Sequence, residues 1–182
     1  GYTGRIVSFE PLADAHALLE KASRDDARWQ IAPRAAIGAD DGEVEINVSA
    51  NSFSSSILDL LPAHLDAAPG SAYVSSEVVP MVRLDTVTAD LLDGAERPFI
   101  KIDTQGYEAN VLDGAAALLE RAAGLHFELS LVPLYAGQPL YDEMMQRLKA
   151  AGFSIWGIWS GIHDPRTGRM LQVDATFFRD SE

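Results

Sequence analysis

The chain has 182 residues, an ordinary apolar fraction, a formal net charge of −13 and no cysteine. Its length fits one domain with a substantial core. The charge argues against nucleic acid or an anionic membrane as partner, and the missing cysteines exclude a disulfide framework and a thiolate metal site. Cysteine-free composition fits a reducing compartment, so a cytoplasmic location is the expectation. The first residue is Gly1 rather than Met, so the absence of a signal peptide says little.

Arg5-Ile6-Val7-Ser8-Phe9 reads as a short strand. Glu10 ends it, and Pro11 suits the first turn of a helix that carries Leu12, Ala15, Leu19 and Ala22 at helical spacing. An acid at such a strand tip can accept both hydroxyls of a nucleotide ribose. Equally, it can be an acid that the helix dipole favours at an N-terminus.

Trp29 to Ile37 reads as the next strand, with Pro33 placing part of it near an edge. Asp40-Asp41-Gly42 is a turn signal. Val44, Ile46 and Val48 then alternate with polar residues, and their expected partner is Val74 to Leu84, where Val78, Pro80, Val82 and Leu84 share one parity. Between them lies a serine-rich loop, Asn51 to Ala72, which is either a solvated linker or a lid. Leu84 to Leu92 spaces as a helix, stopped by Asp93-Gly94.

Phe99-Ile100-Lys101-Ile102 is an apolar run closed by Asp103, with Gly106 permitting a tight turn. Val111, Leu112, Ala115, Leu118 and Leu119 continue at helical spacing, in a helix expected to reach Ala123. Strand, acid, turn and helix make the βα unit of an open parallel sheet. Ligands bind outside the carboxyl ends of such strands, where Asp103 sits. Gly124 to Leu131 is another strand, and period two puts His126 and Glu128 on one side of it. The pair suits a catalytic base, or a hydrogen-bonded histidine beside a capping carboxylate. Leu140 to Ala151 is a helix stopped by Gly152. Phe153 to Trp159 and Met170 to Phe178, joined without a helix, should pair antiparallel.

Neither a Gly-x-Gly-x-x-Gly after a strand nor a P-loop is present, so a nicotinamide enzyme is disfavoured. The four histidines lack metal-ligand spacing, so no metal centre is expected.

Taken in order, Ile6-Val7-Ser8-Phe9-Glu10-Pro11, Ser54-Ser55-Ser56, Val82-Arg83-Leu84-Asp85, Ile100-Lys101-Ile102-Asp103 with Gly106, Glu108, Val111, Leu112 and Gly114, then Glu128, Pro133-Leu134-Tyr135 and Leu148 to Phe153 resemble the FkbM family of S-adenosylmethionine-dependent methyltransferases. The resemblance implies an α/β fold with a Rossmann-like class I methyltransferase sheet, mostly parallel and ordered 3-2-1-4-5-7-6, the last strand antiparallel. It implies methyl transfer to an oxygen of a sugar or secondary metabolite, with S-adenosylmethionine as cofactor and a small-molecule acceptor as partner. By position, Glu10 followed by Pro11 looks like the ribose-binding acid, Ala36 and Ile37 flank the adenine, and Asp103 sits beside the reactive methyl. Glu128 is a second acidic family position. Asp103 and then His126 are the candidate proton acceptors. The family's first strand and glycine-rich cofactor loop would precede Tyr2, so residues 1–182 read as an N-terminally truncated methyltransferase domain. Direct pairing of Ile6–Phe9 with Phe99–Ile102 is expected to close the resulting gap. The alternative function is a non-catalytic binding or scaffolding module that keeps the fold. Whether the chain forms a homo-oligomer stays open.

Overall fold

The computed structural model describes residues 2–92 and 97–180. The chain is mixed α/β. Among the described residues it forms three small sheets rather than the one continuous, mostly parallel sheet expected.

The first sheet is a parallel pair. β1 (Ile6–Ser8) lies beside β2 (Trp29–Ile31), joined by α1 (Ala13–Ala22). Trp29 to Ile37 does not form one strand. It divides into β2 and β3 (Ala36–Ile37), which belong to different sheets. Pro33 lies in the break and has no N–H to continue the ladder.

The second sheet has the order β3-β5-β4, with β4 (Gly42–Ser49) antiparallel to β5 (Tyr73–Val82) as expected. The expected parity of β5 is reversed. Val79 is buried at 1% exposure while Val78 is 63% exposed. Glu77 shares the inward parity, and Arg34 Nη1 meets its carboxylate at 3.0 Å, so the inward face tolerates the acid. The loop after β4 contains α2 (Pro62–Ala67), in which His64 is fully buried.

The third sheet has the order β6-β7-β9-β8: β6 (Phe99–Ile102), β7 (Gly124–Ser130), β8 (Phe153–Ser160) and β9 (Gln172–Arg179). β6 and β7 are parallel, and β9 runs antiparallel to both β7 and β8. One parity of this sheet makes the main core. Ile100, Ile102, Leu125, Phe127, Val173 and Phe177 are buried there. α3 (Leu84–Leu91), α4 (Glu108–Asp113), α5 (Ala116–Arg121) and α6 (Tyr141–Ala150) pack onto it through Leu84, Leu112, Leu118 and Leu148. The expected stop of α3 at Asp93-Gly94 lies outside the described residues.

The helix expected to run on to Ala123 is broken into α4 and α5 at Gly114. A Cβ at Gly114 would sit 1.9 Å from the Gly38 carbonyl oxygen, and the Gly114 carbonyl accepts the Asp85 N–H at 2.9 Å. Asp85 itself caps α5 by accepting the Ala117 and Leu118 N–H groups. Direct pairing of β1 with β6 is not formed. Among the described residues β1 pairs with β2, and β6 with β7. No helix among them is long and apolar enough to cross a membrane.

Candidate functional site

The carboxyl ends of β1, β3 and β6 open onto one cleft of about 610 Å³. Glu10 and Pro11 contribute from the end of β1, Ala36 and Ile37 are β3, and Asp103 follows β6. Two acids 93 positions apart in sequence are thus brought to one cavity by short strands that end at it. Ser52, Phe53, Ser55, Ser56 and Ile57 add a wall from the loop after β4. The later part of that loop lies elsewhere: α2 packs on a separate cluster around Leu134 and Tyr135.

Glu10 is half-buried, and its Oε1 accepts the Leu12 N–H at 2.9 Å. Burial raises the affinity of this carboxyl for its proton, with the Leu12 bond and His16 opposing. One carboxylate therefore both holds the Leu12 N–H just ahead of α1 and faces the cleft. The two readings of Glu10 are compatible.

Asp103 Oδ2 meets Lys101 Nζ at 2.9 Å, and its Oδ1 accepts from Gln105 Nε2 at 2.8 Å. Glu128 lies behind, on the neighbouring strand. Gln105 Nε2 and Gln172 Nε2 both donate to its Oε2, at 3.0 and 2.9 Å. Burial, reinforced by the negative charges of Asp103, Glu108 and Asp174, pushes the Glu128 carboxyl up to about 8. It is therefore a neutral acid over much of the physiological range, and a stronger base than an ordinary carboxylate once ionised.

His126 stands one position back along the same parity, opposite Lys101 in the β6–β7 register. Its Nδ1 is 2.8 Å from Thr176 Oγ1, its Nε2 is 4.0 Å from Asp174, and its ring leans on Trp159. The cleft wall is built without it and without Glu128. Asp103 and Glu128 are linked through Gln105, whereas His126 is held by β9.

The turn after β6 is set by a buried acid. Glu108 Oε1 accepts the Thr104 and Gly106 N–H groups and the Thr104 hydroxyl. Gly106 has φ +93°, and a Cβ there would press on Tyr135 at 2.9 Å. Burial raises the proton affinity of Glu108 as well, against those three donors.

Three further residues escaped the reading from sequence. Gln105 has φ +53°, a left-handed conformation unusual for a side-chain-bearing residue. Tyr135 is fully buried and donates its hydroxyl to Gln105 Oε1 at 2.7 Å. Gln172 starts β9 and reaches Glu128. Only Tyr135 left a trace in the sequence, inside Pro133-Leu134-Tyr135. Gln105 lies in the turn expected around Gly106 and Gln172 inside the strand expected over Met170 to Phe178, and neither carries a local signal of its own.

A second depression, of about 430 Å³, lies beside α4, α5 and α6 and contains none of the predicted site residues. Among the described residues no group of three or more His, Cys, Asp or Glu could hold a metal ion.

The model of the methyltransferase FkbM domain matches residues 1–155. No curated protein and no solved structure matches the chain. The matched span includes Glu10, Ala36, Asp103 and Glu128 together with the elements that carry them. The chain belongs to the FkbM methyltransferase family.

Proposed function

We propose that the chain transfers a methyl group from S-adenosylmethionine to a hydroxyl oxygen of a small acceptor, a sugar or secondary metabolite. The finer fold reading, a Rossmann-like class I methyltransferase arrangement, is part of the same proposal. The order β6-β7-β9-β8, with β9 antiparallel, supports it for that part of the sheet. The observation that carries the functional proposal is the meeting of Glu10, the Ala36–Ile37 wall and Asp103 on one cleft.

The residues present fit the cofactor. The cleft volume falls in the usual range for cofactor sites, about 300–1,000 Å³. A half-buried carboxylate suits ribose hydroxyls, and the apolar side chains of Ala35, Ala36 and Ile37 form a wall suited to a flat base. Glu10 would hold the ribose, Pro11 would support that edge, and Ala36 and Ile37 would flank the adenine. When bound, S-adenosylmethionine supplies an electrophilic methyl group.

The protein's own work is to align the acceptor and remove its hydroxyl proton. Alignment supplies much of the rate. Both Asp103 oxygens are engaged, by Lys101 and Gln105, so Asp103 serves as a fixed negative charge at the cleft. Glu128 has the proton affinity that suits a base near neutral pH. We assign proton removal to the Asp103–Glu128 pair. His126 would act only by orienting the region through Thr176 and Asp174. The engaged state of Asp103 equally suits a non-catalytic module, which is the second reading.

Calorimetric titration of S-adenosylmethionine into the wild-type chain and Glu10→Ala separates them. Binding that the substitution weakens supports the methyltransferase reading. Absence of binding to the wild-type chain favours the module.

A further inference from the structure

We propose that Gln105 is a positioning residue: its side-chain amide ties the Asp103 carboxylate, which faces the cleft, to the Glu128 carboxyl behind it and fixes their mutual orientation. The proposal deepens the methyl-transfer reading and rests on it for its catalytic meaning.

The geometry leaves the amide one orientation. Gln105 Oε1 accepts the Tyr135 hydroxyl at 2.7 Å, and Tyr135 is fully buried, so its proton needs that acceptor. The amide nitrogen is thereby turned to the acids. Its two N–H groups reach Asp103 Oδ1 at 2.8 Å and Glu128 Oε2 at 3.0 Å. The flipped amide would place its carbonyl oxygen against the Asp103 carboxylate and leave the tyrosine hydroxyl facing N–H groups. Every polar atom of this side chain is matched in the observed arrangement.

The backbone is held as firmly. Ser56 Oγ donates to the Gln105 carbonyl at 2.7 Å, tying the turn to the loop that walls the cleft. Residue 105 keeps a left-handed φ of +53°, which a side-chain-bearing residue adopts at some cost. Strain of this kind at a cleft, with the side chain serving two acids from different strands, points to function rather than to packing.

Other charged groups also face Glu128: Lys101 from β6 and Asp103 just after it, Glu108 from α4 and Asp174 from β9, with the Tyr135 phenol behind. Three of them are acids, and the Gln105 and Gln172 amide N–H groups join Lys101 in favouring the ionised form of Glu128.

The test is carboxyl ¹³C NMR titration of the wild-type chain, Gln105→Gly and Gln105→Leu, with Glu128→Gln identifying the Glu128 signal. Glycine removes the amide and relieves the left-handed backbone, so it separates the amide's effect from strain. In both Gln105 variants the Glu128 carboxyl should titrate about one pH unit higher, since an N–H donor that favoured the charged form is gone. A purely structural role predicts lower thermal stability with the Glu128 titration unchanged, and that result in the folded variants overturns the proposal. If neither variant folds, Tyr135→Phe decides. An upward displacement of the Glu128 titration then supports the proposal, and an unchanged one refutes it. Titration of S-adenosylmethionine into the wild-type chain is read separately. Its failure removes the methyl-transfer reading and leaves the carboxyl titration to decide the linkage by Gln105.

Discussion

Replacing Glu128 by glutamine removes a charge and keeps the shape, so it isolates what the buried carboxyl costs. Its ordinary value of 4.5 is raised to about 8 in the folded chain. The native state therefore binds more protons than the unfolded state between those values. Stability from this group is complete below the unfolded value and is lost as pH rises through the folded one. At about 1.4 kcal/mol per pH unit, the interval sets a ceiling of about 5 kcal/mol. Glu128 is not wholly enclosed, and solvent relaxation reduces the cost, so we expect about 2–3 kcal/mol. Near pH 4.5 wild type and Glu128→Gln should be almost equally stable. Above pH 8 the variant should be the more stable by that amount. Urea denaturation at several pH values gives the difference directly, and subtraction removes every other titrating group. A difference that does not change with pH would refute the claim that Glu128 is held neutral.

Gly114→Ala should cost about 3 kcal/mol or more, because its Cβ would meet the Gly38 carbonyl oxygen at 1.9 Å, a backbone atom that cannot swing aside; thermal melting measures it. His64 is fully buried, and neither ring nitrogen has a partner among the described residues. Burial lowers its proton affinity, so stability from its neutral form is present above the ordinary value of 6.5 and falls as pH drops below it. His64→Leu should flatten that acid loss and stabilise by about 1 kcal/mol at neutral pH, read from acid denaturation. Glu10→Ala should weaken S-adenosylmethionine binding roughly tenfold or more, since a hydrogen bond to a charged group contributes about 1.5–3 kcal/mol; unchanged affinity by calorimetry would leave only the capping role.

Much of the third sheet was legible because its pattern is local. An apolar run closed by an acid and a turn locates β6 and Asp103, and two helix-free strands at the end give the β8–β9 pairing. The errors share one cause, which is distant contact. The parity of β5 reads wrongly because Glu77 faces inward only with Arg34 there to meet it. The break at Gly114 is dictated by Gly38, far off in sequence, whose carbonyl leaves no room for a Cβ. In Trp29 to Ile37 the proline was visible, but not that β3 would join β5 instead of β1.

The same argument explains why the acids were found and their partners were not. Asp103 closes an apolar strand and Glu128 stands at a strand position, both of which the local pattern can mark. Gln105 is defined instead by a left-handed backbone and by four contacts drawn from Ser56, Asp103, Glu128 and Tyr135. Three of those lie at least 23 residues away in the chain. No local propensity encodes such a residue. Its left-handed backbone runs against local preference, and the tertiary contacts must hold it there. Here those contacts converge on two carboxyl groups, one exposed at the cavity and salt-bridged, the other partly buried behind it with a raised proton affinity. A single amide between them keeps unlike environments within hydrogen-bond reach: one carboxylate is paired with Lys101, and the other has the raised proton affinity that burial gives it.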